Sequence, residues 1–212
     1  MKLYTFFRSS AAYRVRIALN LKGVAHESIP KMLMKNEHRA PDYLALNPQG
    51  LVPALEVNDT VLGQSLAIIE YLDETHPQPP LLPSDPIGRA QVRSMAMAIA
   101  CDIHPLNNLR VLNYLKQTLQ QEQEAVDAWY RHWVKEGFGA LEIQARQHSA
   151  GGRYLYGDAV SMADTCLVPQ LFNARRFKVD VSSYPTLVAI GTHLESLPAF
   201  AAARPEVQPE AF

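Results

Sequence analysis

The sequence predicts an α+β domain over residues 1–80 followed by an all-α domain over residues 87–212. Three observations carry that expectation. Short apolar runs alternate with helical periodicity in the earlier part of the chain. Residues 77–86 read PQPPLLPSDP, which neither a helix nor a central strand tolerates and which favours a stiff, extended connection. Beyond that run almost every periodic segment is helical.

Lys2–Phe6 reads as a strand. Ser10 is placed to cap a helix running to about Leu21, with Ala11, Val15, Ala18 and Leu19 on one face and Gly23 just past its end. Ala25–Ile29 reads as a second strand, and a short helical stretch follows over Pro41–Leu46. Val52–Val57 is a strand, Asn58-Asp59 a turn, and Thr60–Leu62 pairs back as a hairpin. Ser65–Thr75 is a helix with Leu66, Ile69 and Leu72 or Tyr71 inward. The order βαβ, α, ββα is the layout of a thioredoxin-like fold, a small sheet with helices on both faces. In the second part Ile87–Lys116 carries one long helical pattern, kinked at Pro105. Glu122–His148 is a second long helix and contains Trp129 and Trp133, which read as packing aromatics. Ser161–Phe177 is a third, opening with a capping box, Ser161-Met162-Ala163-Asp164, in which Asp takes the fourth place. Tyr184-Pro185 starts a further helix through Ser196, and the set packs naturally as a helical bundle.

Hydrophobic residues make up 48% and charged residues 19%, a globular balance that excludes a disordered or collagenous chain. Lys+Arg number 20 against Asp+Glu 21, and the net charge of -1 argues against nucleic acid as a partner. Cys101 and Cys166 lie in apolar helical runs and read as buried free thiols. No Cys/His cluster has metal-ligand spacing, so no metal is expected. No window approaches the roughly 20 apolar residues of a membrane span, and MKLYTFFRSS has too short an apolar run for a signal peptide. The expectation is a cytoplasmic chain with no membrane partner.

Three loops carry the candidate chemistry. Arg8-Ser9-Ser10 opens the first helix, where unpartnered N–H groups, two hydroxyls and a guanidinium together suit an anion such as a thiolate. No cysteine lies there, which excludes a thioredoxin-type redox centre. Asn47-Pro48-Gln49-Gly50-Leu51-Val52-Pro53 leads into a strand, and a cis bond before Pro53 would turn the Val52 backbone toward an extended peptide. Gln64-Ser65 opens the helix after the hairpin, where Ser65 is a cap by pattern and also suits a carboxylate. Each loop taken singly reads as well as ordinary capping or an ordinary trans proline.

Taken together and in this order, the three loops resemble the glutathione site of glutathione transferases. The run YTFFRSSAAYRVRIALNLKG resembles the zeta-class motif SSCxWRVRIAL, and LNPQGLVPAL, GQSLAIIEYLDE and DIHPLNNLRVL are similar to the same class. The resemblance covers essentially the whole chain and implies the two-domain glutathione transferase fold. The zeta class contains maleylacetoacetate isomerases and bacterial maleylpyruvate isomerases, and this chain resembles the latter more. It implies glutathione as a cofactor regenerated through thiolate addition, bond rotation and elimination on maleylpyruvate, in gentisate-type aromatic breakdown. It also implies a homodimer. Ser9 and Ser10 resemble the pair at the glutathione sulfur, with Arg8 beside them. Gln49 and Val52, with Pro53 cis, would pair with the tripeptide backbone, and Gln64 and Ser65 would hold its γ-glutamyl carboxylate. His38 resembles a contact to the glycyl end, and His104 and Asn108 lie in the family's second-domain contact region. Arg8, Arg110 and Arg176 are the cations implied for the dianionic substrate. The class cysteine and tryptophan are here Ala11 and Tyr13, and His104 stands where a glutamine is usual. The rival readings are a maleylacetoacetate isomerase, a glutathione-conjugating transferase and a non-catalytic interaction protein.

Overall fold

The computed structural model describes residues 1–211, which divide into two compact units. One contains Met1–Leu81 and the segment from Ser196 onward; the other is Leu82–Glu195.

The first unit is built on a four-stranded sheet of order β2-β1-β3-β4, formed by β1 (Lys2–Thr5), β2 (Glu27–Pro30), β3 (Ala54–Val57) and β4 (Thr60–Gly63). β1 runs parallel to β2 and antiparallel to β3, and β3–β4 is the expected hairpin. Period-two alternation sends Leu3 and Leu55, paired in register, to one face and Tyr4 and Ala54 to the other. Helices α1 (Ser10–Lys22) and α3 (Ser65–Thr75) pack against each other, while Tyr43 of α2 (Pro41–Leu46) packs on Tyr4 with ring centroids 5.5 Å apart. The thioredoxin-like layout read from the sequence is therefore present.

Several local details differ from expectation. β3 starts at Ala54, after the cis Val52-Pro53 peptide, because Pro53 has no N–H for the ladder. β2 begins two residues late, after Gly23 closes α1 with a left-handed φ of 63°. The cap of α1 is Ser9, not Ser10: Ser9 is extended, and its side chain accepts from the Ala12 N–H. Likewise Gln64, not Ser65, occupies the cap position of α3, and Ile68 rather than Leu66 is buried with Ile69 and Leu72. α1 is buried almost all round rather than on one face, Arg14 and Arg16 included. A short helix α9 (Pro198–Ala201) packs on α1, with Phe200 and Ala203 fully buried. At the far end of α1, buried Lys22 donates to Asp73 Oδ1 (2.6 Å) and to the Pro79 carbonyl, tying the start of the proline run to the sheet domain.

The second unit is helical, and of the two cysteines expected to be buried Cys166 is, whereas Cys101 is exposed beside the break in the helix. The long helix expected over Ile87–Lys116 is not one helix: it comprises α4 (Pro86–Met97), a wider π-helical turn (Ala98–Ile103), a non-helical turn and α5 (Leu109–Gln117). Pro105 cannot give an N–H to the Cys101 carbonyl, and Asn108 restarts the helix by accepting from the Arg110 N–H (3.1 Å). α6 (Gln123–His148), α7 (Met162–Arg176) and α8 (Pro185–Ser196) agree with the sequence pattern to within a residue. Buried Glu142 of α6 accepts from the Thr186 and Leu187 N–H groups at the start of α8. The capping box of α7 is formed: fully buried Asp164 accepts from the Ser161 N–H and hydroxyl and from the Leu155 N–H at 2.7–2.8 Å.

Burial pushes the Asp164 carboxyl up to about 6 from its ordinary 3.8, against the three donors that favour its charge. Its folded pKa exceeds its unfolded one, so the native chain holds the extra proton between those values. Stability from this group is present at low pH and lost as pH rises through that window. Thermal melts should therefore show wild type losing stability relative to Asp164→Asn as the pH is raised from 3.8 toward 6. Asp164→Ala strands the Leu155 and Ser161 donors and is expected to lower the unfolding free energy by roughly 2–4 kcal/mol in urea titrations.

Candidate active site

In the first unit the sheet brings the three candidate loops together. Arg8-Ser9 leaves the end of β1 through a turn in which the Ser9 N–H donates to the Phe6 carbonyl (2.9 Å). The Arg8 guanidinium lies over the Phe7 ring, 4.7 Å from its centroid. The Ser9 oxygen accepts from the Ala12 N–H at 3.2 Å, and its hydroxyl stands 3.5 Å from the Val52 carbonyl. Ser10 is the first helical residue and is buried.

The second loop is shaped by Asn47 and Tyr43. The Asn47 amide and the Tyr43 hydroxyl both donate to the Leu51 carbonyl (2.8 and 2.7 Å), while Asn47 Oδ1 accepts from the Gln49 N–H. Gly50 takes φ 57°, and a Cβ there would meet Arg39 Nη1, the His38 carbonyl and Leu44 Cδ2, each at 2.9 Å. His38 is thereby placed against the Gln49-Gly50 turn. Its Nδ1 is buried without a hydrogen-bond partner among the described residues. Burial, then the Arg39 charge, lowers the His38 pKa and favours the neutral ring.

The third loop is joined to the second by a 3.0 Å hydrogen bond from Gln64 Nε2 to Gln49 Oε1. Gln64 has φ 66° and ψ 116°, a conformation costing a non-glycine residue roughly 1–3 kcal/mol and found where a site demands it. Ser65, 6% exposed, opens α3, and its hydroxyl oxygen accepts from buried Arg14 Nη1 at 3.2 Å.

Neither α1 nor α3 has an acidic residue in its first turn. Both N-termini therefore keep their partial positive charge for a ligand. A thiolate at α1, an extended backbone along Val52 and a carboxylate at α3 match these donors in type and order. The residues present thus fit a small peptide with a thiol and a free carboxylate.

In the second unit the Pro105 turn groups His104, Asn108 and Arg110. Asn108 Nδ2 lies 3.4 Å from His104 Nε2, and the turn is fixed to α6 by bonds from Asn107 Nδ2 to the Tyr130 carbonyl and from Trp129 Nε1 to the Leu106 carbonyl. Arg110 is exposed on the first turn of α5. Of the adjacent arginines ending α7, Arg175 is ion-paired with Glu195. The Arg176 guanidinium lies 5.1 Å from the centroid of the Phe177 ring, which stacks at 3.7 Å on Tyr130. The predicted set thus divides: Arg8, Ser9, Ser10, His38, Gln49, Val52, Pro53, Gln64 and Ser65 in one unit, and His104, Asn108, Arg110 and Arg176 in the other. The sequence reading missed Arg14 and Arg16, although two arginines inside an otherwise apolar helix were a usable signal.

Known proteins share this chain's sequence and fold. Residues 3–80 match the family model for the glutathione S-transferase N-terminal domain, and residues 107–203 match that for the C-terminal domain. The chain is 51% identical over 211 residues to a "Probable maleylacetoacetate isomerase" of Vibrio cholerae, covering 99% of this chain and 97% of that one. It is similar to a holo structure of maleylpyruvate isomerase, described as a bacterial zeta-class glutathione S-transferase, with TM-score 0.97, 47% identity and full coverage of both chains. It is also similar to a maleylacetoacetate isomerase from Methylobacterium extorquens AM1 solved with bound malonate and GSH, with TM-score 0.96, 43% identity and full coverage of both.

Gly50→Ala combines a left-handed backbone with three close contacts. Chemical denaturation should show a loss of roughly 2–4 kcal/mol, from overpacking and left-handed strain together.

Proposed function

The chain belongs to the glutathione S-transferase family, and from that premise we propose that it catalyses the glutathione-dependent cis–trans isomerisation of maleylpyruvate to fumarylpyruvate. The observation that carries the reading is the pair of acid-free helix N-termini, at Ser9 and at Gln64-Ser65, joined through the Val52-Pro53 loop. Similarity to zeta-class isomerases, one of them solved with GSH, supports the same reading.

Glutathione, when bound, supplies a thiolate nucleophile that makes the conjugated double bond temporarily single, so that it can rotate before the thiolate leaves. The protein's part begins with holding that thiol ionised near pH 7, although a free thiol titrates at about 8.5. The N–H groups opening α1, the Ser9 hydroxyl and the Arg8 charge all favour the anion, with Ser10 as the neighbouring hydroxyl. Gln49 and the Val52 backbone, directed by Pro53, orient the tripeptide. Gln64 and Ser65 hold its γ-glutamyl carboxylate at the start of α3, and His38 meets the glycyl end. His104 and Asn108 belong to the cofactor side in the second unit. The substrate is a dianion on which charge develops toward the ketone oxygen, so cations must meet it. We assign that role to Arg8, Arg110 and Arg176, whose planar forks match carboxylates.

Maleylacetoacetate, with a longer acyl tail, is the second reading, favoured by the name of the Vibrio cholerae relative. The active form is a homodimer working in the cytoplasm; among the described residues no helix is long and apolar enough to cross a membrane.

Proton NMR of maleylpyruvate with the protein should show cis-to-trans conversion only when glutathione is present, with total glutathione unchanged. No conversion despite retention on glutathione resin overturns the isomerase reading and leaves conjugation or an interaction role. Arg110→Ala and Arg176→Ala should each lower kcat/KM by roughly 10- to 1,000-fold while leaving glutathione affinity intact. Sedimentation should give a dimer mass.

A further inference from the structure

Arg16, one turn along α1 from Ala12, is 3% exposed, and its guanidinium is spent on three neutral acceptors from two distant parts of the chain. Nε donates to the Ala203 carbonyl at 3.1 Å, Nη1 to Thr5 Oγ1 at 3.2 Å, and Nη2 to the Phe7 carbonyl at 3.0 Å. Thr5 ends β1, Phe7 immediately precedes Arg8-Ser9, and Ala203 lies 187 residues away in the C-terminal segment. Glu210 of that segment is the carboxylate acting on Arg16, and the neutral Tyr13 ring of α1 lies 5.4 Å from the guanidinium carbon. One turn further on, Asn20 donates to the Ala199 carbonyl at 2.9 Å, so α1 grips the same segment twice.

Packing alone does not call for an arginine here. Burial lowers its pKa to about 10, a desolvation cost that its bonds to the Ala203 and Phe7 carbonyls offset. What a guanidinium adds is a rigid planar fork that fixes several acceptors relative to one another. One of those acceptors is the carbonyl of the peptide that leads into Arg8. With the Ser9 N–H held on Phe6, the turn is pinned at both ends. A thiolate stabilised by helix N–H groups and a hydroxyl is sensitive to displacements of an ångström or less.

We propose that Arg16 is a positioning residue for the thiol-binding turn: by clamping the Phe7 carbonyl to the end of β1 and to the C-terminal segment, it sets where Arg8 and Ser9 stand. The inference rests on the glutathione reading above. It makes the segment from Ser196 onward part of the support for the cofactor site.

The test is a pH titration of the thiolate ultraviolet absorbance of glutathione bound to wild type, Arg16→Lys and Thr5→Val. Arg16→Lys keeps the charge and loses the fork. Thr5→Val keeps the volume and removes one acceptor. The ionisation midpoint should rise by roughly one unit in Arg16→Lys and by less in Thr5→Val. kcat/KM should fall about tenfold below the midpoint and recover at alkaline pH. A lowered melting temperature with unchanged midpoints would mean a purely structural role and overturn the proposal. If Arg16→Lys does not fold, an unchanged midpoint in Thr5→Val overturns it alone. Absence of any bound thiolate in wild type would instead remove the glutathione reading itself, and this inference with it.

Discussion

An anion at a helix N-terminus is stabilised by N–H groups that have no partner within the helix, and the first unit presents two such ends. α1 and α3 both begin without an acidic residue in the first turn, so neither end is offset by a carboxylate of its own helix. The sheet and the packing of α1 on α3 fix the two ends relative to one another. β1 delivers the chain to the first, the β3–β4 hairpin delivers it to the second, and β1 pairs directly with β3 of that hairpin. The Val52-Pro53 loop lies between them in sequence and within 3.5 Å of Ser9 in space. This arrangement suits a peptide with a thiol and a free carboxylate.

The supports behind the site are polar where a core is normally apolar. Arg14 reaches the Ser65 hydroxyl, Arg16 the Phe7 carbonyl, and Asn47 and Tyr43 converge on the Leu51 carbonyl. Each loop that would touch the ligand is thus held by a side chain that does not. Gln64 shows what the arrangement demands of the backbone: a left-handed φ at a residue with a Cβ is unfavourable locally and persists because its neighbours over-determine it. In the second unit the Pro105 turn is fixed to α6 through Asn107 and Trp129, which leaves His104, Asn108 and Arg110 on a rigid corner.

Much of this was legible in the sequence because local chemistry settles it. The hairpin at Asn58-Asp59, the extent of Ser65–Thr75 and the capping box at Ser161 follow from turn residues, periodicity and side-chain caps. Resemblance to the zeta class named the loops, and the structure gathers those of the first unit around the two helix ends. What was not legible depended on tertiary context. Pattern favoured Ser10 and Ser65 as caps, yet the preceding residue takes the cap position in both cases, because the turn geometry before each helix sets where it begins. A kinked helix was expected at Pro105, whereas the chain widens to a π-turn and restarts at Asn108, since bonds to α6 hold the turn open. The roles of Arg14 and Arg16 lay hidden because their partners, Ser65 and Ala203, are far along the chain.

The central claim is that the start of α1 holds the cofactor thiol as an anion, and proton release on binding tests it most directly. Calorimetric titration of glutathione at pH 7, in two buffers of different ionisation enthalpy, counts protons. A thiol that titrates at about 8.5 when free is almost wholly protonated at that pH. The account predicts release approaching one proton per site. Binding with no proton release would mean that the thiol stays neutral and would contradict it.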